Sequence, residues 1–195
     1  MNRSRLIMAA VPACILILAG GCGKEENLLI AGDFEQVSEL QKSPEGWFAT
    51  VVPPLKEFVA FEWDDQVAHS GKRSVSLAID ASHPDDQVHY NWTAPVPACR
   101  PGGRYELSGW IKTENLTAPA FIMFQFWGED KSSMVGFAST QGDYNVTGTS
   151  DWQQVGVVFT VPDDTGEVRI RAGIAAPDNR GGKVWFDDLR IIEIR

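Results

Sequence analysis

Cysteine is scarce in this chain of 195 residues: there are three, Cys14, Cys22 and Cys99. Two of them fall in the N-terminal apolar segment, so Cys99 stands alone in the rest of the chain and no intramolecular disulfide can staple it. Stability then has to come from a hydrophobic core, helped at most by a bound ion. Basic charge is also short, with 17 Lys and Arg against 26 Asp and Glu and a net charge of −9. That balance argues against nucleic acid as a partner and against electrostatic attachment to an anionic membrane. Helical periodicity is nearly missing from residue 27 onward. Catalytic motifs are missing too: there is no Gly-x-Ser-x-Gly, no phosphate loop and no His-Glu-x-x-His. Glu57, Glu62, Asp64 and Asp65 supply carboxylates, but their spacing fits no glycosidase pattern, and the expectation is a protein that is not an enzyme.

What is present begins at the N-terminus. Arg3 and Arg5 precede an apolar stretch, Leu6–Leu18, broken by Pro12, and Ala19-Gly20-Gly21-Cys22 follows. A basic n-region, a short apolar h-region and small residues before a cut describe a targeting segment, too short for a comfortable membrane span. The motif resembles the lipobox of bacterial lipoproteins, with Ala19 where leucine is commonest. The resemblance implies a signal peptide over residues 1–21 and lipidation of Cys22 with more than one acyl chain (palmitate among them), which stable anchoring requires. Residues 22–26 then form a linker that, at about 3.3 Å per residue, keeps the following domain close to the membrane. Gly23 in place of Asp implies, by the same resemblance, the outer membrane of a Gram-negative cell envelope. The alternative is an ordinary secretory signal.

From residue 27 to 195 the chain is long enough for one domain with one core. Apolar residues alternate with polar ones over Ser74–Ile79, Tyr105–Lys112, Ile122–Trp127, Gln154–Thr160 and Val168–Ile174. This period of two marks half-buried strands. Turns punctuate them at Ser70-Gly71-Lys72, Pro101-Gly102-Gly103, Thr147-Gly148-Thr149, Asp163–Gly166 and Asn179–Gly182. The pattern predicts about ten strands in an all-β, antiparallel sandwich of two sheets.

Four blocks in order carry a second resemblance: Asn27–Glu35 followed by Gly46-Trp47; His69–Leu77; Tyr105–Lys112; and Trp152-Gln153-Gln154 with Val184–Ile191. The series resembles the jelly-roll carbohydrate-binding modules of families four, nine and twenty-two. The resemblance implies a jelly roll in which the first and last strands pair. It also implies a structural calcium ion, carried over to Glu35 and Asp187, then Asp33 and Asp188, with the main-chain carbonyl of Lys72. Hard oxygens gathered at one edge suit Ca²⁺, which takes six to eight such ligands. The alternative is surface carboxylates at strand ends.

Seven tryptophans stand out. Trp47, Trp152 and Trp185 match positions that pack in the resembling family. Trp110 and Trp127 lie instead on the polar register of their strands, together with Lys112, Met123, Gln125, Arg169 and Arg171. If these strands share one sheet, Trp110, Gln125, Trp127, Arg169 and Arg171 line a concave face. Flat rings flanked by polar side chains suit the apolar faces and hydroxyl edges of sugars. The alternative is that loops cover both tryptophans. His83, Asp85, Asp86 and His89 have the composition of a metal site, but Pro84 and the Asp pair read first as turn chemistry. The expectation is thus a lipid-anchored, non-catalytic binder of a polysaccharide or oligosaccharide. The competing readings are an envelope lipoprotein that uses the same fold for protein interaction or assembly and, third, a glycan-active enzyme.

Overall fold

The computed structural model describes residues 26–38 and 43–194. The expected signal segment and the expected lipidation site at Cys22 lie outside the described residues. Among the described residues ten strands form: β1 (Phe48–Thr50), β2 (Val59–Asp64), β3 (Ser74–Ile79), β4 (Val88–Pro95), β5 (Arg104–Leu116), β6 (Phe121–Gly128), β7 (Met134–Ser139), β8 (Gly148–Thr160), β9 (Thr165–Ala176) and β10 (Lys183–Glu193). They make two antiparallel five-stranded sheets, a front sheet in the order β1-β4-β9-β6-β7 and a back sheet in the order β2-β3-β10-β5-β8.

The alternation read from the sequence is the alternation of burial. Val75, Leu77 and Ile79 of β3, Leu107 and Ile111 of β5, Ile122, Phe124 and Phe126 of β6, and Val168, Ile170 and Ile174 of β9 all point into one core between the sheets. Successive side chains on a strand face opposite ways, so one face seals the core and the other meets water or a partner. Aromatic rings fill the wide part: Phe159 packs on Phe124 at 4.4 Å between centroids and on Tyr105 at 5.8 Å. Trp92 bridges the layers, its indole N–H donating to the carbonyl of Ser76 at 3.0 Å.

The segment after residue 26 differs from the expected first strand. It is a series of turns laid along β10, tied by Leu28 N–H to the Ile191 carbonyl at 2.9 Å and by Leu189 N–H to the Gly32 carbonyl at 2.8 Å. Ala31 (φ 45°) and Phe34 (φ 55°) are left-handed, which breaks the extended path. The segment lies beside β10, but the expected pairing of first and last strands is a correction: the first strand among the described residues, β1, pairs with β4 in the other sheet.

Candidate functional site

The outward side chains of the front sheet fall into register across its strands. Thr93 on β4 faces Arg171 on β9, which faces Met123 on β6 and then Ser139 on β7. One step along, Arg169 faces Gln125, and Gln125 faces Phe137. These rows floor a groove of about 220 Å³, lined by His89, Asn91, Phe121, Met123, Gln125 and Arg171 with Met134, Phe137 and Gln141 as one wall. The volume is below the roughly 300–1,000 Å³ of pockets that enclose drug-sized ligands, so the groove can hold only part of a longer one. Its rims are apolar and open: Phe137 is 62 % exposed, Met134 49 %, and Phe48, across the sheet on β1, 48 %. Exposed rings gathered on one face have a cost in water that a bound partner removes.

The same face holds unmet polar atoms. Among the described residues, Gln125 Oε1, Trp127 Nε1 and Arg171 Nε are buried without a hydrogen-bond partner; Thr165 Oγ1, at the start of β9, is the fourth. Buried polar atoms are almost always paired, and exceptions ask for a reason. Burial first, and the neighbouring Arg169 second, hold the Arg171 guanidinium below its usual pKa. Arg169 is differently placed. Its Nε donates to Glu167 Oε1, and Lys131 Nζ lies 3.5 Å from Glu167 Oε2. The hydrogen bond from Arg169, ahead of its charge and that of Lys131, holds the Glu167 carboxyl low against an opposing desolvation.

Four of the five expected ligand-binding residues lie on this face, Gln125 and Trp127 on β6 and Arg169 and Arg171 on β9, and of these Gln125 and Arg171 line the groove. Trp127 is not an open platform, because the Arg169 guanidinium sits over its ring at 5.0 Å from the centroid. Trp110 is a correction. It lies on β5 in the back sheet, on the other side of the sandwich. Its register is outward as expected, and it is half-buried, but consecutive strands β5 and β6 belong to different sheets. The sequence period tells inside from outside and is silent on which sheet a strand joins. Asn91 and Phe137 escaped the sequence reading, and His89 was weighed there only as part of a metal site or turn. The signal for His89 and Asn91 was the run His89-Tyr90-Asn91-Trp92, whose odd positions face the groove while Tyr90 and Trp92 fill the core. His83 is structural, with Nε2 2.8 Å from the Tyr90 hydroxyl and Nδ1 2.7 Å from the Pro84 carbonyl.

The carboxylates expected to hold calcium do gather at one edge, around the turn 69–73. Glu35 Oε1 accepts the N–H groups of Lys72 at 2.7 Å and Arg73 at 2.8 Å. Asp187 is fully buried; its Oδ2 accepts His69 N–H at 2.7 Å and Ser70 N–H at 3.2 Å, and its Oδ1 accepts Asp188 N–H at 2.7 Å. Asp188 holds His69 Nδ1 at 2.6 Å and the Ser70 hydroxyl at 2.8 Å, while Asp33 Oδ1 accepts the Glu35 N–H at 3.3 Å. Gly71, at φ +62°, passes so close that a Cβ there would stand 2.4 Å from Glu35 Oε1. Glu35 Oε1 and both Asp187 oxygens are thus taken by main-chain N–H donors. Among the described residues no three His, Cys, Asp or Glu side chains are grouped to hold a metal ion. Glu35 and Asp187 tie the turn through these N–H groups. Desolvation pushes the Asp187 carboxyl up to about 6 despite these donors, with the Asp188 charge adding to the rise. Trp110 completes this edge, its ring stacked on His69 at 3.9 Å and 17°.

Cys99 is buried, and desolvation followed by the Glu193 charge pushes its thiol up to about 12, which makes it inert as a nucleophile. No helix among the described residues is long and apolar enough to cross a membrane.

No protein-family model matches the chain. It is 24 % identical over 167 residues to the tRNA nuclease WapA of Bacillus subtilis (strain 168), an alignment that covers 85 % of this chain and 7 % of that protein. The chain therefore spans a small fraction of the curated relatives it matches. Among solved structures it resembles the CBM22-1 xylan-binding domain of Paenibacillus barcinonensis Xyn10C, with TM-score 0.59, 14 % identity, and 88 % of this chain and 96 % of that one covered. It also resembles TmCBM61, solved in complex with β-1,4-galactotriose, with TM-score 0.54, 17 % identity, and 87 % and 100 % covered. A third is the enzymatically active domain of tailspike protein 4 from bacteriophage CBA120, with TM-score 0.56, 16 % identity, and 86 % and 21 % covered. At these identities the likeness is one of fold, a two-sheet antiparallel β-sandwich.

Proposed function

We propose that residues 27–195 form a non-catalytic carbohydrate-binding domain that holds a segment of polysaccharide or oligosaccharide in the front-sheet groove. The observation that carries this reading is the coincidence, on one face, of exposed Phe137 and Phe48 rings with unpaired Gln125 and Arg171. Aromatic faces cover the C–H faces of a sugar, and amide and guanidinium groups meet its hydroxyls. The binding modules that share the fold support it. Acid–base hydrolysis of a glycoside needs two carboxylates across the bond, and none of the groove's lining residues is Asp or Glu. The nuclease activity named for WapA is not carried over, since the shared region is 7 % of that protein.

The anchor is part of the proposal. Acylation at Cys22 would hold the domain at a membrane of the cell envelope, the outer membrane in a Gram-negative host, with the groove free to capture glycan near that surface. A glycan array followed by polysaccharide pull-down tests the binding function. Retention of at least one glycan, lost on Phe137→Ala with folding intact, is expected. If no glycan is retained and a protein partner binds at Phe137 and Met134 instead, the reading gives way to an interaction domain.

A further inference from the structure

The groove contains one charge that nothing in the fold answers. Arg171 is half-buried on its floor with Nε unpaired, its cross-strand neighbours are Thr93 and Met123, and no ion pair is made to it among the described residues. Arg169, two positions away, is already matched by Glu167. The chain is strongly acidic, at a net −9, yet none of the groove-lining residues is Asp or Glu. A partly desolvated guanidinium without an anion is costly to keep, and neutral sugar hydroxyls, which Gln125 can meet, repay less of that cost than a charged partner does. A carboxylate repays more, because its two oxygens match the guanidinium's parallel N–H donors.

We propose that the groove selects glycans that carry a carboxylate, such as uronate-containing polysaccharides, with Arg171 as the anchor for that group. This rests on the carbohydrate-binding reading above and narrows its ligand class. The acidic surface elsewhere repels polyanions, so selectivity for them has to arise locally, at a site like this one.

The test is isothermal titration or affinity electrophoresis of the full protein with polygalacturonate, alginate and glucuronoxylan. Each is compared with its own carboxyl-reduced form, which keeps the sugar backbone and removes the charge. A sulfated neutral polysaccharide runs beside them. At least one uronate polysaccharide is expected to bind and to weaken about tenfold or more on reduction, the scale of a charge-assisted hydrogen bond. Arg171→Gln should lose about the same factor on the acidic form and under twofold on the reduced form, with Arg171→Lys in between. Melting curves of the variants confirm folding, and the reduced polysaccharide on the unaltered protein gives an answer independent of any variant. Equal affinity for acidic and reduced forms overturns the carboxylate inference and leaves the carbohydrate reading standing. Binding of the sulfated polymer alone overturns it in favour of sulfate. Failure to bind any polysaccharide overturns both.

Discussion

Replacing Asp187 with Asn removes one negative charge from the most buried carboxylate at the acidic edge while nearly preserving its shape. Asp187 accepts three main-chain N–H groups, from His69, Ser70 and Asp188. An Asn has one acceptor oxygen, so at least one buried donor goes unmet, at a cost of about 1–3 kcal/mol. The pH dependence is the sharper part. The folded-state carboxyl is raised from 3.8 to about 6, so between those values the native state holds a proton that the unfolded chain has released. Its contribution to stability is fully present below pH 3.8 and is lost as pH rises through about 6. The size is on the order of 1.4 kcal/mol per unit, or roughly 3 kcal/mol across the window. Asp187→Asn should therefore cost more at pH 4 than at pH 7.5, by up to about 3 kcal/mol. Urea unfolding of both proteins at a series of pH values in EDTA reads this difference and cancels every other titrating group. A cost that is flat or grows with pH would refute the reading that desolvation outweighs the three N–H donors, which by themselves favour the ionised carboxylate. A bound cation would hold the carboxylate ionised and reverse the slope. Repeating the series in calcium separates the two accounts, because the tie described here predicts the same curve and an unmoved melting temperature.

Other expectations concern separate parts of the molecule. Phe137→Ala should change stability by no more than about 0.5 kcal/mol, since the ring is mostly exposed, and weaken glycan binding by about 1–3 kcal/mol; chemical denaturation and titration check both. Trp110→Ala should do the reverse, leaving binding untouched and lowering stability through loss of the stack on His69. Gly71→Ala, at φ +62° and with its Cβ meeting Glu35 Oε1 at 2.4 Å, should destabilise by about 1–3 kcal/mol and raise amide exchange at Lys72 and Arg73. Cys22→Ala should abolish acylation and signal cleavage; a variant still cut at the same place and released would show an ordinary secretory signal.

Much of the fold was legible because the period of two in β5, β6, β8 and β9 is close to the period of burial, while in β3 the outward Ser74 and Ser76 are buried as well. Outward residues were assigned correctly, Trp110 and Trp127 included. Sheet membership was not legible, because it depends on which strands pair across long separations, and so Trp110 was grouped with residues on the opposite face. Side-chain cover was hidden for a similar reason: Arg169 lies over Trp127 because Glu167, two residues earlier on the same face, holds it there. The acidic edge was found as a cluster, but the role of its oxygens was set by N–H groups of a turn more than a hundred residues away from Asp187. Phe137 went unnoticed because β7 is a short edge strand whose polar and apolar residues do not alternate.

The central claim is that saccharide sits on the front sheet. It is tested most directly by NMR titration of the isotope-labelled protein with an oligosaccharide ligand found on the array. The account predicts shifts concentrated at His89, Asn91, Gln125, Phe137 and Arg171, with the indole of Trp110 unmoved. Shifts at Trp110, His69 and Trp152 with a silent front sheet would place the ligand on the opposite side of the sandwich and contradict it.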